Sequence, residues 1–265
     1  MARRRISSRA AFVALLAATL GGCVPFATPA GPVVADRPGY TDAPTVLPAR
    51  AIQAELGVTS DRVDNTTYVS SGEMLIRLGV GARTELRYFA NSYGARFVDG
   101  NVVARGFEDP KVGLKVNLRA VPDTVHEWFP NISFLAATTL PVQASRLGTL
   151  RPQPEGKIAA NWTTPTPFSA YTNLGYGGTY DDTQWGSHAW ASLALWYALH
   201  PRVSVFGEGL AVGLSHGSAS SGNNVDAGVT FLMTERLQLD VRVGRGVGAV
   251  TSHERFLGVG FAQRW

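Results

Sequence analysis

The chain has 265 residues, 45% of them hydrophobic and 17% charged, a length that suits one large β domain. Its excess charge lies in Arg3, Arg4, Arg5 and Arg9; without them 24 − 4 = 20 basic residues balance 20 acidic ones, which removes any electrostatic case for a nucleic-acid partner. The single cysteine, Cys23, excludes an internal disulfide and a cysteine-based metal cluster, and no later apolar run approaches the roughly 20 residues a membrane helix needs.

Arg3–Arg9 forms a basic n-region, and Ala10–Leu20 an apolar h-region of signal-peptide length. Leu20-Gly21-Gly22-Cys23 follows at once and resembles the lipobox of bacterial lipoproteins. That resemblance implies that residues 1–22 are a signal peptide and that Cys23 becomes a lipidated N-terminus, which two acyl chains would hold at the membrane unaided. The competing reading is ordinary cleavage near Ala27–Ala30, with Cys23 removed or incidental. Residues 23–49, rich in Pro, Ala, Gly and Thr, read as an extended periplasmic spacer. Within it, Asp36-Arg37-Pro38-Gly39-Tyr40-Thr41-Asp42-Ala43-Pro44 is too particular for plain linker, and part of it is expected to pack under the domain.

From residue 50 onward the chain is a succession of strand patterns. Ile52, Ala54, Leu56 and Val58 alternate with Gln53 and Glu55. Met74, Ile76 and Leu78 alternate with Glu73, Arg77 and Gly79. Leu86 and Tyr88 alternate with Glu85 and Arg87, and Val112, Leu114, Val116 and Leu118 with Lys111, Lys115, Asn117 and Arg119. Weaker patterns cover residues 132–140, 158–164, 171–178 and 190–199. In Val203–Leu214 the residues Phe206, Leu210 and Val212 share a parity with Glu208, which suggests a bulge. Val225–Met233 alternates well. In the tail, Leu237, Leu239, Val241 and Val243 alternate with Gln238, Asp240, Arg242 and Gly244; Leu257, Val259 and Phe261 alternate with Gly258, Gly260 and Ala262.

Strict alternation puts one residue set on each face of a strand. Here one face is apolar and the other carries charge or no side chain. Short connections (residues 82–83, 165–167, 200–202, 234–236) alternate with longer polar ones (60–71, 93–105, 143–154, 180–184, 215–223, 245–253). This is the pattern of tight periplasmic turns and long external loops. The expected fold is all-β: an antiparallel up-and-down transmembrane β-barrel of about twelve strands, within a range of about ten to fourteen, over residues 50–265. An even count places both barrel ends on the periplasmic side, where a Cys23 lipid would also sit.

The Asp36–Pro44 box, Gly106-Phe107-Glu108-Asp109-Pro110-Lys111-Val112-Gly113-Leu114-Lys115, the Thr234-Glu235-Arg236-Leu237-Gln238-Leu239 turn and the Gly258-Val259-Gly260-Phe261 ending carry a further message. Together they resemble the outer-membrane transporter-like family named for the MetA pathway of phenol degradation, over about Asp36 to Trp265. The resemblance implies an outer-membrane barrel linked to uptake of aromatic or hydrophobic compounds. It implies no defined substrate, catalytic residue or cofactor. The closing strand also resembles the insertion signal read by the barrel-assembly machinery, through Gly260, Phe261 and Trp265, with Gln263 departing from it.

Inward-facing candidates are Glu55, Arg77, Glu85, Arg87, Lys111, Lys115, Arg119, Asp226, Asp240, Arg242 and Arg264. They read either as a pore lining that selects by charge or as ion pairs filling a small lumen. Their mixed signs argue against a strong ion filter. Trp128, Phe129, Trp162, Tyr176, Tyr180, Trp185, Trp190, Trp196, Tyr197, Phe256 and Trp265 fall toward strand ends and read as interfacial girdles; the alternative is a lumenal stacking path for an aromatic solute. His216 and Ser218 have the spacing of outer-membrane lipid hydrolases, which would make a catalytic pair with Asp226 as nearest acid, but they fall in an expected loop. The five histidines show no metal-ligand spacing.

Overall fold

A computed structural model describes residues 31–121, 128–142, 147–149, 151–180, 183–216, 222–248 and 253–265. Every regular element among them is a strand: β1 (Ile52–Val63), β2 (Thr66–Gly79), β3 (Thr84–Val98), β4 (Asn101–Phe107), β5 (Lys111–Arg119), β6 (Asn131–Thr139), β7 (Pro154–Thr163), β8 (Phe168–Tyr180), β9 (Trp185–His200), β10 (Val203–His216), β11 (Gly222–Thr234), β12 (Leu237–Val247) and β13 (Glu254–Arg264). Neighbours pair antiparallel around a ring, and β1 pairs with both β2 and β13, so the sheet closes.

Thirteen strands occupy twelve positions. β3 pairs with β4 through Tyr93↔Phe107 and with β5 through Phe89↔Lys111, two pairs on one unbroken register. β4 and β5 are therefore two halves of a single strand, interrupted at Glu108-Asp109-Pro110. Pro110 lacks the N–H a ladder needs, and the Asp109 side chain turns aside to accept the Val142 N–H at 2.8 Å.

The outer surface is apolar. Leu239, Val241, Val243, Leu257, Val259 and Phe261 are each about 39–55% exposed, whereas Gln53, Glu55, Glu85 and Lys115 are fully buried. This inverts the arrangement of a water-soluble protein. Lipid covers the apolar belt, and closure leaves no unpaired edge within it. The rim with the short turns, where Trp265 N donates to Ile52 O at 2.9 Å, is the periplasmic one.

Four expectations change. Residues 60–71 and 93–105 are not loops but the upper parts of β1–β2 and β3–β4, closed by two-residue turns; Asp99 and Gly100 both have positive φ, the geometry a tight hairpin with right-handed twist requires. They are polar because they rise above the bilayer, not because they leave the sheet. β10 keeps register with β11 from Val203 to Val212 and with β9 from Ser204 to Leu214; the irregularity against β9 falls at Val203/Ser204 and not at Phe206–Glu208, which share a parity because both point inward. The girdle reading fails for Trp190, Trp196 and Phe256, which also face the lumen. Finally, residues 31–49 are not a spacer: they run inside the barrel.

Candidate functional site

The lumen is built around residues 31–50. The carbonyls of Gly31 and Pro32 accept the Arg264 guanidinium at 2.5 and 3.1 Å, and Val33 N donates to the β11–β12 turn at Glu235 O (2.8 Å). The chain rises from that rim, turns over at Tyr40–Asp42, and descends until Arg50 N reaches Gly79 O at 2.7 Å. Ala43 N donates to Asp36 Oδ1 at 3.0 Å and ties the two limbs together.

Three wall cations and two wall carboxylates converge on this segment. Arg77 clasps Glu85 with two bonds of 2.9 Å and reaches Glu55 at 3.3 Å. Lys115 lies 3.1 Å and Arg87 2.5 Å from Asp36. With Asp36 the cluster holds three positive and three negative charges, all buried. The same groups also hold main chain: Arg77 donates to the Val34 and Thr45 carbonyls at 3.0 Å, Lys115 to Ala43 O at 2.8 Å, and Leu47 N donates to Glu85 at 2.9 Å. Burial acts to raise the Asp36 carboxyl, but the charges of Arg77, Lys115 and Arg87 outweigh it and hold the acid well below the usual carboxylate range.

Glycine on the wall admits the segment. A Cβ on Gly57 would lie 2.2 Å, and one on Gly260 2.4 Å, from the Arg37 guanidinium. Arg37 fills that recess, bonded to Glu73 at 2.7 Å and 3.5 Å from Asp240. At the apex, Thr41 Oγ1 donates to the Glu208 carboxylate and lies 2.7 Å from Ser192 Oγ, while Asn173 exchanges hydrogen bonds with Asp42 at 2.9 and 3.0 Å.

The opposite wall is aromatic. Trp196 stacks on Phe206 with centroids 4.7 Å apart, Tyr171 meets Trp196 edge-on at 6.3 Å, and His188 stacks on Trp190 at 5.1 Å. Tyr171 and Trp196 line a cavity of about 160 Å³ near the periplasmic rim, closed on its other side by Val33–Arg37 and Thr41. Above the segment lies an external cavity of about 640 Å³ bounded by Tyr40, Phe89, Met74, Glu73 and Lys111. Asp36 and Arg37 belong to the walls of both, so the rising limb of the segment separates them.

Residues 35–265 match the sequence profile of the family described as "Putative MetA-pathway of phenol degradation". The chain belongs to that family. No curated protein matches it significantly. Among solved structures, the COG4313 outer membrane channel from Pseudomonas putida F1 aligns with a TM-score of 0.66 at 14% identity, over 86% of this chain and 99% of that one. The NanC porin aligns at 0.55 with 6% identity, over 79% and 98%. The translocator domain of the autotransporter NalP from Neisseria meningitidis aligns at 0.51 with 10% identity, over 81% and 88%. These likenesses establish the outer-membrane barrel fold.

In this MetA-pathway family member the residues expected in the lumen divide by height and partner. Glu55, Arg77, Glu85, Arg87 and Lys115 form the cluster around Asp36. Asp226 and Asp240 are buried on the β11 and β12 inner faces. Arg242 lies over the rings of Tyr40 (4.9 Å) and Phe256 (5.2 Å). Lys111 pairs with Glu155 at 3.1 Å beside the external cavity. Arg264 holds the segment at the rim. Arg119, at the end of β5, donates to the Phe129 and Pro130 carbonyls at 2.8 and 2.9 Å and so ties down the β5–β6 connection. Gly260 receives Arg37, Phe261 faces lipid and Trp265 ends at the rim. His216 ends β10, while Cys23 and Ser218 lie outside the described residues. Among the described residues no group of three or more His, Cys, Asp or Glu side chains is placed to hold a metal ion.

Sequence reasoning missed Asp36, Thr41, Glu208 and Phe206 as lumenal groups. The signals available were the particularity of the Asp36–Pro44 box and the shared parity of Phe206 and Glu208.

Proposed function

We propose that the protein is a non-enzymatic outer-membrane channel for small aromatic or hydrophobic solutes, and that residues 31–50 gate it. The observation that carries this reading is the pair of cavities that share the rising limb at Asp36–Arg37 as a wall, the lower one also walled by Tyr171 and Trp196. Displacing that limb joins them into a path past the Trp196–Phe206 stack. Aromatic faces bind flat apolar rings through offset or edge contacts, and the balanced charges around Asp36 give no reason to select an ion. The phenol pathway in the family description and the channel in the Pseudomonas putida F1 description are consistent with it. The test is uptake into proteoliposomes of aromatic alcohols and carboxylates against sugars of equal size. Aromatic preference in the parent that falls in Trp196→Gln/Phe206→Gln supports the reading; equal uptake of both solute classes refutes it.

A second reading, a barrel whose lumen stays closed, is favoured by the buried bonds to the segment. Conductance in planar bilayers separates the two.

The same reading covers the termini. Residues 1–22 act as a lipoprotein-type signal peptide, and Cys23, eight residues before Gly31, is anchored at the periplasmic rim, within roughly 28 Å of extended chain. The closing strand with Gly260, Phe261 and Trp265 is recognised by the barrel-assembly machinery.

A further inference from the structure

On the outer surface three arginines stand in one cross-strand row. Arg245 of β12 is the register partner of Arg255 of β13, which is the partner of Arg62 of β1. All three are exposed and share the lipid-facing parity. Directly beneath them come the rows Val243–Leu257–Ser60, Val241–Val259–Val58 and Leu239–Phe261–Leu56. Like charges directly opposite on a sheet repel. None of the three forms an ion pair with an acid among the described residues: Arg62 Nε donates to the Asp64 carbonyl at 3.1 Å, while the Asp64 carboxylate lies 2.7 Å from His253 Nδ1. The residues between Arg245 and Glu254 contain no acid either.

Height identifies the environment. Arg255 lies ten residues above Trp265 at the periplasmic rim, and at roughly 3.3 Å per residue and a tilt of about 40° this is about 25 Å, the height of a barrel's apolar band. The row therefore sits where hydrocarbon ends and the headgroups of the outer leaflet begin. That leaflet is built of phosphorylated glycolipid. Guanidinium binds phosphate oxygens in a fork of two parallel bonds, and acyl chains below the headgroup would cover the Val243–Leu257 and Val241–Val259 rows.

We propose that Arg62, Arg245 and Arg255 form a binding site for the phosphates of an outer-leaflet glycolipid of the lipid A class. The site holds one lipid against the β12–β13–β1 face and neutralises the row. It is independent of the solute that crosses the lumen.

The test uses the folded full-length protein in detergent, with diphosphoryl lipid A, monophosphoryl lipid A and inorganic phosphate as probes and binding read by native mass spectrometry and titration. Loss of three charge-assisted contacts in Arg62→Gln/Arg245→Gln/Arg255→Gln is expected to weaken diphosphoryl lipid A by about tenfold or more. Monophosphoryl lipid A binds the parent less tightly, and Arg83→Gln/Arg236→Gln, at the opposite rim, binds like the parent. Heat-modifiable gel mobility verifies folding; if the triple variant fails to fold, Arg255→Gln alone carries the test, with an expected loss of about threefold. Equal affinity of parent and variant for diphosphoryl lipid A overturns the proposal. So does displacement of the lipid by inorganic phosphate at equal concentration, which marks a free-ion site.

Discussion

Glu55 Oε2 on β1 accepts the backbone N–H of Asp36 and that of Arg37, each at 3.0 Å. A wall carboxylate thus holds the segment by its main chain, in addition to the side-chain contacts of Asp36 and Arg37. Hydrogen bonds to a charged acceptor contribute about 1.5–3 kcal/mol each. Glu55→Gln keeps the shape and removes the charge, leaving Arg77 with less compensation. The expected result is a still-folded barrel in which protease cleaves residues 31–50 at least tenfold faster than in the parent. Unchanged cleavage would show that the segment is held elsewhere.

Arg37 occupies the recess that Gly57 and Gly260 leave. Gly57→Val should expel the guanidinium and cost about 1–3 kcal/mol through overpacking. In an Arg37→Ala background the same change should cost far less, because the space is then free. Thermal unfolding of the two single variants and the double variant supplies the coupling; additive losses would contradict the fit.

Asp36 sets the pH range of the seated segment. Its acid is held below the ordinary range when folded, so its contribution is present in full above the unfolded value of about 4 and declines as pH falls further toward the folded one. Protease resistance of residues 31–50 should be level from pH 8 to 5 and decline only below about pH 4. Asp36→Asn should weaken resistance at neutral pH, where the parent is fully protected. A parent that loosens near pH 6 would assign control to another group.

The outer face answers to hydrocarbon. Val241→Arg, in the middle of the apolar belt, should destabilise the barrel by about 2–4 kcal/mol, whereas Thr67→Arg, level with the Arg62 row above the belt, should cost about 0–1 kcal/mol. Urea unfolding in lipid vesicles measures both, and equal losses would remove the membrane boundary from where the register puts it.

The barrel was legible because lipid imposes a rule on consecutive residues. Leu239, Val241 and Val243 alternate with Gln238, Asp240 and Arg242 since each strand has one face in hydrocarbon. The rule stops at the bilayer surface, which is why the strand ends at residues 60–71 and 93–105 read as loops. It also fails where the lumen is apolar: in β9, Trp190 and Trp196 point inward among outward Leu193 and Leu195, so both faces look alike. The charges of Glu55, Arg77, Glu85 and Lys115 were visible, but their common partner was not, because Asp36 reaches them from outside the strands. Nothing local in a proline-rich stretch announces that it threads a pore.

Thr41 Oγ1 lies 2.7 Å from Ser192 Oγ, close enough for a disulfide to replace both hydroxyls. Aromatic solute uptake into proteoliposomes by Thr41→Cys/Ser192→Cys tests the gate directly. The oxidised barrel should lose uptake and regain it on reduction. Equal uptake in both redox states would mean that the segment does not control the path.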